Sequence, residues 1–160
     1  MIRILFVCLG NICRSPLAES VFRHLARERG VERRFEIDSA GTSGWHVGDP
    51  PDARSVATAR ARGVEVCGAS RKLVPDDLRR FDYVVAMDRE NLANITRLQT
   101  ASGGGARVHL LREWDPEPGQ PDVPDPYYGG ERGFEEVHDI VERSCAALLD
   151  DLLERERAAG

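Results

Sequence analysis

The stretch "ILFVCLGNICRSPLAES", residues 4–20, holds two patterns that meet at one point. Ile2–Val7 is apolar apart from Arg3 and rich in branched side chains, as in a central parallel strand buried on both faces. It ends in Cys8. Ser15 followed by Pro16 reads as an N-cap with proline at the first helical position. Leu17, Val21 and Leu25 then follow helical spacing to about Arg29, and Gly30 is a plausible stop.

The alternation continues outward from there. Phe35–Ser39 reads as a second strand, and Ser39–Asp52, rich in Gly, Ser and Pro, as a loop. A helix is expected over about Ala53–Arg62, closed by Gly63. Val64–Cys67 is ambiguous, and Asp76–Arg80 after Pro75 reads as a helical turn. Phe81–Asp88 is a third buried strand, Arg89–Leu98 a helix, Gly103–Gly105 a turn and Arg107–Leu111 a fourth strand. Trp114–Gly130 carries five prolines and almost no periodicity. A loop of that length in a compact domain usually has a function. Phe134–Glu156 closes the chain with an amphipathic helical pattern.

Four strand–helix alternations imply right-handed crossovers. The expected fold is a doubly wound α/β sandwich around a four-stranded parallel sheet, as one domain over residues 1–160. Ligands in such folds bind beyond the carboxyl ends of the strands, and the first strand ends at Cys8.

Composition narrows the function. Apolar content of 41% and charged content of 31% are ordinary for a water-exposed globular chain. No apolar run approaches the roughly 20 residues of a membrane span, and the start of the chain lacks a signal-peptide layout. A cytoplasmic, monomeric protein without membrane attachment is expected. The formal charge of −5 argues against nucleic-acid binding. Cys8, Cys13, Cys67 and Cys145 lack the spacing of a zinc site, and His24, His46, His109 and His138 read as surface or packing residues. No metal or cofactor is expected.

The segment from Cys8 to Ser15 links a strand to a helix N-terminus, where unpaired N–H groups and the helix dipole make an anion site. Its members are Leu9, Gly10, Asn11, Ile12 and Cys13. Gly10 is expected to permit the tight curvature, and Asn11 to hold the loop through side-chain hydrogen bonds. Arg14 supplies a planar fork suited to a tetrahedral oxyanion. These donors favour the thiolate of Cys8, the nucleophilic form. A thiolate beside a bound phosphoryl group is placed for phosphoryl transfer. Ser15 would hydrogen-bond the sulfur and help it leave. Cys-x5-Arg alone is a weak signal; its context carries the reading.

Such a nucleophile needs an acid for the leaving group. Asp125 lies between Pro124 and Pro126 in the long loop. Its carboxyl would protonate a phenolate and then activate water, and a neighbouring phosphate charge favours the protonated form. By composition alone Asp125 is equally well a turn residue.

"VCLGNICRSP" near the start, "SAGT" at Ser39–Thr42 and "DPYYGG" at Asp125–Gly130 resemble the low-molecular-weight protein tyrosine phosphatases across almost the whole chain. The resemblance implies hydrolysis of phosphotyrosine, in proteins or as small aryl phosphates, through a cysteinyl phosphate on Cys8. Arg14 would bind phosphate or another oxyanion, and Asp125 would act as acid and then base. Asn11, Ser15 and Ser39 would support the loop. Trp45, Tyr127 and Tyr128 would wall the entrance and stack on the substrate ring. Cys13 would pair with Cys8 as a reversible disulfide under peroxide, an arrangement redox chemistry allows; as a residue it is equally a small packing group. Ile12 resembles the tyrosine-directed branch, because some bacterial relatives acting on phosphoarginine carry threonine there. In one respect the chain departs from the pattern. Members usually carry a histidine in a segment like "HxAR", and the matching "CGASRKL" (Cys67–Leu73) has Gly68 at that place. Water or another side chain is expected to take over, at some cost in loop rigidity.

Two other readings compete. A thiol-linked arsenate reductase shares the loop but needs two further cysteines close in sequence, whereas Cys67 and Cys145 lie far apart. A phosphotyrosine-binding module would not need nucleophile, arginine and acid together, and Cys8, Arg14 and Asp125 are all present.

Overall fold

The computed structural model describes residues 1–117, 119–126 and 130–159, with the side chains of residues 130 and 131 left aside. Among the described residues, four strands form one parallel sheet in the order β2-β1-β3-β4: β1 is Ile2–Cys8, β2 Phe35–Gly41, β3 Tyr83–Ala86 and β4 Arg107–Leu110. The helices are α1 (Arg14–Glu28), α2 (Ala53–Ala61), the short α3 (Asp77–Arg80), α4 (Arg89–Ser102) and α5 (Gly130–Ala159).

The two faces of β1 explain its unbroken apolar run. Ile4, Phe6 and Cys8 pack with Leu17, Val21 and Phe22 of α1 and with Val141 and Leu148 of α5. Leu5 and Val7 turn the other way, onto Leu78, Phe81 and Ile95. Alternation along a strand sends successive side chains to opposite faces, so a strand covered by helices on both sides is apolar throughout. Cys8 thereby ends the strand on the α1 face.

The element boundaries differ from the sequence expectation for identifiable reasons. β2 runs past Ser39, because Ala40 and Gly41 stay in register with Val7 and Cys8. β3 is shorter than Phe81–Asp88, because Phe81 ends α3 and Asp88 caps α4. The Asp88 carboxylate accepts the Asn91 N–H at 2.7 Å. Helix α4 extends past Leu98 to Ser102, stopped by Gly103 at φ 80°. Leu111–Trp114, expected as strand end and loop, forms a 3-10 turn. Helix α1 begins at Arg14, with Cys13 as its cap residue and no side-chain capping bond. Ser15 is therefore not the N-cap, since its hydroxyl is engaged by Cys8 and Asn11 instead. Pro16 sits in the first turn, where a missing N–H costs nothing.

No helix among the described residues is long and apolar enough to cross a membrane.

One buried ionisable group gives the fold a pH dependence. His138 of α5 is 1% exposed, and neither ring nitrogen has a hydrogen-bond partner among the described residues. Nε2 lies 3.3 Å from Glu142, outside hydrogen-bonding geometry. Burial, with Arg62 acting in the same direction, lowers its pKa from the ordinary 6.5 against the weaker pull of Glu142, Asp139 and Glu135. Below about pH 6.5 the unfolded chain therefore binds a proton that the folded chain refuses. Stability should fall as pH drops through that window and level off beneath the folded value. Thermal midpoints at pH 8 and pH 5.5 should separate more for the wild type than for His138→Leu; equal separations would remove His138 as the cause.

Candidate active site

Strand order places the site. The loops leaving β1 and β3 diverge to opposite sides of the sheet, the arrangement that opens a crevice at the carboxyl edge. Cys8 ends β1, and Asp88 follows β3 at the same edge.

The loop after Cys8 wraps around its own sulfur. The Asn11 N–H points at Cys8 Sγ at 3.3 Å, and Ser15 Oγ lies 3.0 Å from it. Asn11 adopts φ 55°, alone among the described non-glycine residues in being left-handed. Asparagine tolerates that region better than most side chains. Its amide then fixes the turn: Nδ2 donates to Ser15 Oγ at 2.8 Å and to Ser39 Oγ at 3.0 Å, and Oδ1 accepts the Arg71 N–H at 3.0 Å. The tight curvature expected of Gly10 is thus carried by Asn11. A Cβ at Gly10 would stand 3.0 Å from the His46 ring, which would have to shift to admit it.

The "SAGT" segment forms the rear wall. Thr42 N–H donates to the Cys8 carbonyl at 2.9 Å, and Ser43 N–H to that of Leu9 at 3.0 Å. Gly41 lets the two backbones approach this closely, because a Cβ would meet the Leu9 oxygen at 2.8 Å. The "CGASRKL" segment lies alongside, with Ser70 Oγ donating to the Gly10 carbonyl at 2.9 Å. Gly68 contributes only backbone, at φ 110° with open space where a side chain would begin. A cavity of about 80 Å³ lies there, between Asn11, Glu19, Ser39 and Gly68. Glu19 closes the hydrogen-bond chain by accepting from Ser39 Oγ at 2.7 Å. Burial raises the Glu19 carboxyl, only partly offset by Ser39 and Arg23. Glu19 thus ends the network on its Ser39 side, while the space beside Gly68 is a cavity.

Arg14 is 3% exposed. Nη1 donates to Asp88 at 2.6 Å and to the Val123 carbonyl at 3.0 Å, and Nη2 lies 3.7 Å from Asp125. Burial opposes its charge, but the Cys8 sulfur, Asp88 and Asp125 outweigh it and hold the guanidinium above its usual range. The same contacts fasten the long loop. Val123 is fully buried, and its N–H donates to the Met87 carbonyl at 2.8 Å. Asp125 follows two residues later and is held over the loop.

Cys8, Leu9, Ile12, Cys13, Arg14 and Asp125 all line one cavity of about 170 Å³. Trp45, 79% exposed, stands at its rim. Tyr127 and Tyr128 lie outside the described residues. His46, read from the sequence as a surface or packing residue, also lines the cavity, with Nδ1 3.1 Å from Asp49. Asp88, Glu19 and Ser70 were missed as well. Asp88 was read as the end of the third strand, and no local pattern marks its bond to Arg14. Cys13 is buried, and its thiol is pushed up to about 12, first by burial and then by Asp52, Cys8 and Asp125. At neutral pH it is a neutral thiol.

The model of the family "Low molecular weight phosphotyrosine protein phosphatase" matches residues 3–159. The chain belongs to that family. It is 43% identical over 150 residues to a putative low molecular weight protein-tyrosine-phosphatase of Synechocystis, covering 94% of this chain and 96% of that one. Among solved structures, a protein tyrosine phosphatase from Entamoeba histolytica with Hepes in the active site superposes with a TM-score of 0.90 at 36% identity, covering 98% and 99%. A Drosophila arginine phosphatase superposes at 0.88 and 30% identity, covering 93% and 96%.

Proposed function

We propose that this phosphatase hydrolyses phosphotyrosine in two steps carried by Cys8, Arg14 and Asp125. The supporting observation is one cavity with the Cys8 sulfur at its floor and Arg14 and Asp125, 3.7 Å apart, in its walls. In the first step Cys8 Sγ attacks phosphorus and the ester P–O bond breaks, while the Asp125 proton passes to the departing phenolate oxygen. In the second, the Asp125 carboxylate takes a proton from water. The water oxygen bonds to phosphorus, the S–P bond breaks, and the thiolate returns. Ser15, 3.0 Å from the sulfur, stabilises that departing charge. Arg14 and the loop N–H groups meet the equatorial oxygens, where preorganised donors contribute most.

Leaving-group dependence tests the acid. Asp125→Ala should slow hydrolysis of phosphotyrosine about 10²- to 10⁴-fold, but slow p-nitrophenyl phosphate far less, because nitrophenolate departs without a proton. Equal slowing of both substrates would take Asp125 out of the acid role. Both assays belong in chelator, with Cys8→Ser as the blank.

Ile12 lines the cavity. It supports an aryl phosphate over phosphoarginine as the preferred substrate, since a branched apolar group packs on a ring and gives a guanidinium no partner.

A further inference from the structure

Beside the active-site cavity lies a second depression of about 500 Å³, and the two share Leu9 and Trp45 as a common wall. Its size falls in the range of ordinary ligand sites. Half-buried Leu9 and Leu98 give it an apolar floor, and exposed Lys72 and Arg97 stand on its edges. The Lys72 stem crosses close to Gly44, next to Trp45. Among the described residues neither cation is paired with a carboxylate: Arg97 bonds the Asn94 amide oxygen at 2.8 Å, and no ion pair involves Lys72. Most arginines elsewhere on the chain carry an acidic partner, as Arg62 and Arg89 do.

We infer that this groove receives the polypeptide flanking the phosphotyrosine and selects substrates with acidic side chains on that flank. The inference rests on the phosphotyrosine reading above. A phosphotyrosine seated over Cys8 brings its own chain across the rim, and the shared Leu9–Trp45 wall leads that chain into the groove. There an apolar side chain meets Leu98, and a carboxylate meets Lys72 and Arg97. The chain as a whole carries −5, which repels acidic peptides at long range. Any preference for them must therefore come from local cations, and these two lie on the path.

The experiment uses phosphotyrosine peptides of three kinds, with alanines on both sides, with two glutamates before the phosphotyrosine, or with two after it. Values of kcat/KM are measured for the wild type and for Lys72→Ala/Arg97→Ala, with p-nitrophenyl phosphate as the reference. At least one glutamate peptide should be hydrolysed about 3- to 20-fold faster than the alanine peptide by the wild type, as expected of two exposed ion pairs. That gain should fall to within about 2-fold in the double variant and fade in high salt, while p-nitrophenyl phosphate kinetics stay unchanged. No gain for either glutamate peptide, or a gain that survives in the double variant, overturns the inference. Failure to hydrolyse p-nitrophenyl phosphate would instead overturn the phosphatase reading, so the two failures are distinct.

Discussion

Cys8→Ser should abolish turnover of every phosphomonoester while leaving phosphate bound in the loop. The hydroxyl is isosteric but un-ionised at neutral pH and a far weaker nucleophile, so kcat should fall on the order of 10⁵-fold or more. Binding should persist, because Arg14 is untouched and a serine oxygen can take over the sulfur's contacts with the Asn11 N–H and Ser15. Asn11 is anchored through its own side chain to Ser15, Ser39 and Arg71, so the loop keeps its shape. Calorimetry with inorganic phosphate should give similar affinity for both proteins, and a stopped-flow trace on an aryl phosphate should show no burst for the variant. Activity above a few per cent of wild type would mean that another group attacks phosphorus.

Arg14→Lys is expected to be nearly as damaging. The charge is retained, but the guanidinium performs three tasks at once: it binds Asp88, it binds the Val123 carbonyl, and it presents its second nitrogen to the cavity beside Asp125. An ammonium is a point donor without the planar fork. It cannot hold Asp88 and Val123 while reaching two phosphate oxygens. Comparable arginines acting on transferring phosphoryl groups contribute about 10³- to 10⁵-fold in kcat, and a loss in that range is expected here. The acid should suffer too, because Val123 sits two residues before Asp125 and Arg14 helps tie it down. The leaving-group dependence of Arg14→Lys should therefore steepen toward that of Asp125→Ala. Adding Asp88→Ala to Arg14→Lys should cost much less than Asp88→Ala alone, because both act through one hydrogen bond. Independent, additive losses would separate Asp88 from the arginine.

A local segment carried much of this in the sequence. From Cys8 to Ser15 the proposed nucleophile, the loop N–H groups, the arginine and the hydroxyl lie within eight residues, so residue order alone predicts their meeting. The alternating strands and helices were equally legible, because burial on both faces leaves an unmistakable apolar run in β1. The boundaries were not, since Ser15 bonds Cys8 and Asn11 instead of capping α1, Phe81 closes α3 and Asp88 caps α4. Asp88 reaches Arg14 from 74 residues away, Ser70 reaches Gly10 across 60, and Glu19 meets Ser39 across 20. No local pattern marks a carboxylate that accepts from a distant hydroxyl. The glycine of the loop after β1 shows the same limit: the residue type pointed to Gly10 for the turn, whereas the left-handed residue is Asn11, held by tertiary hydrogen bonds, and Gly10 lies against the His46 ring. The sequence by itself determined the proposed pairing of thiol and oxyanion donors, because Cys8, the loop N–H groups and Arg14 are neighbours along the chain. The tertiary structure alone decided how that chemistry is held and aimed, because Asp88, Val123 and Asp125 converge on Arg14 only where the strand order 2-1-3-4 brings the ends of β1 and β3 together.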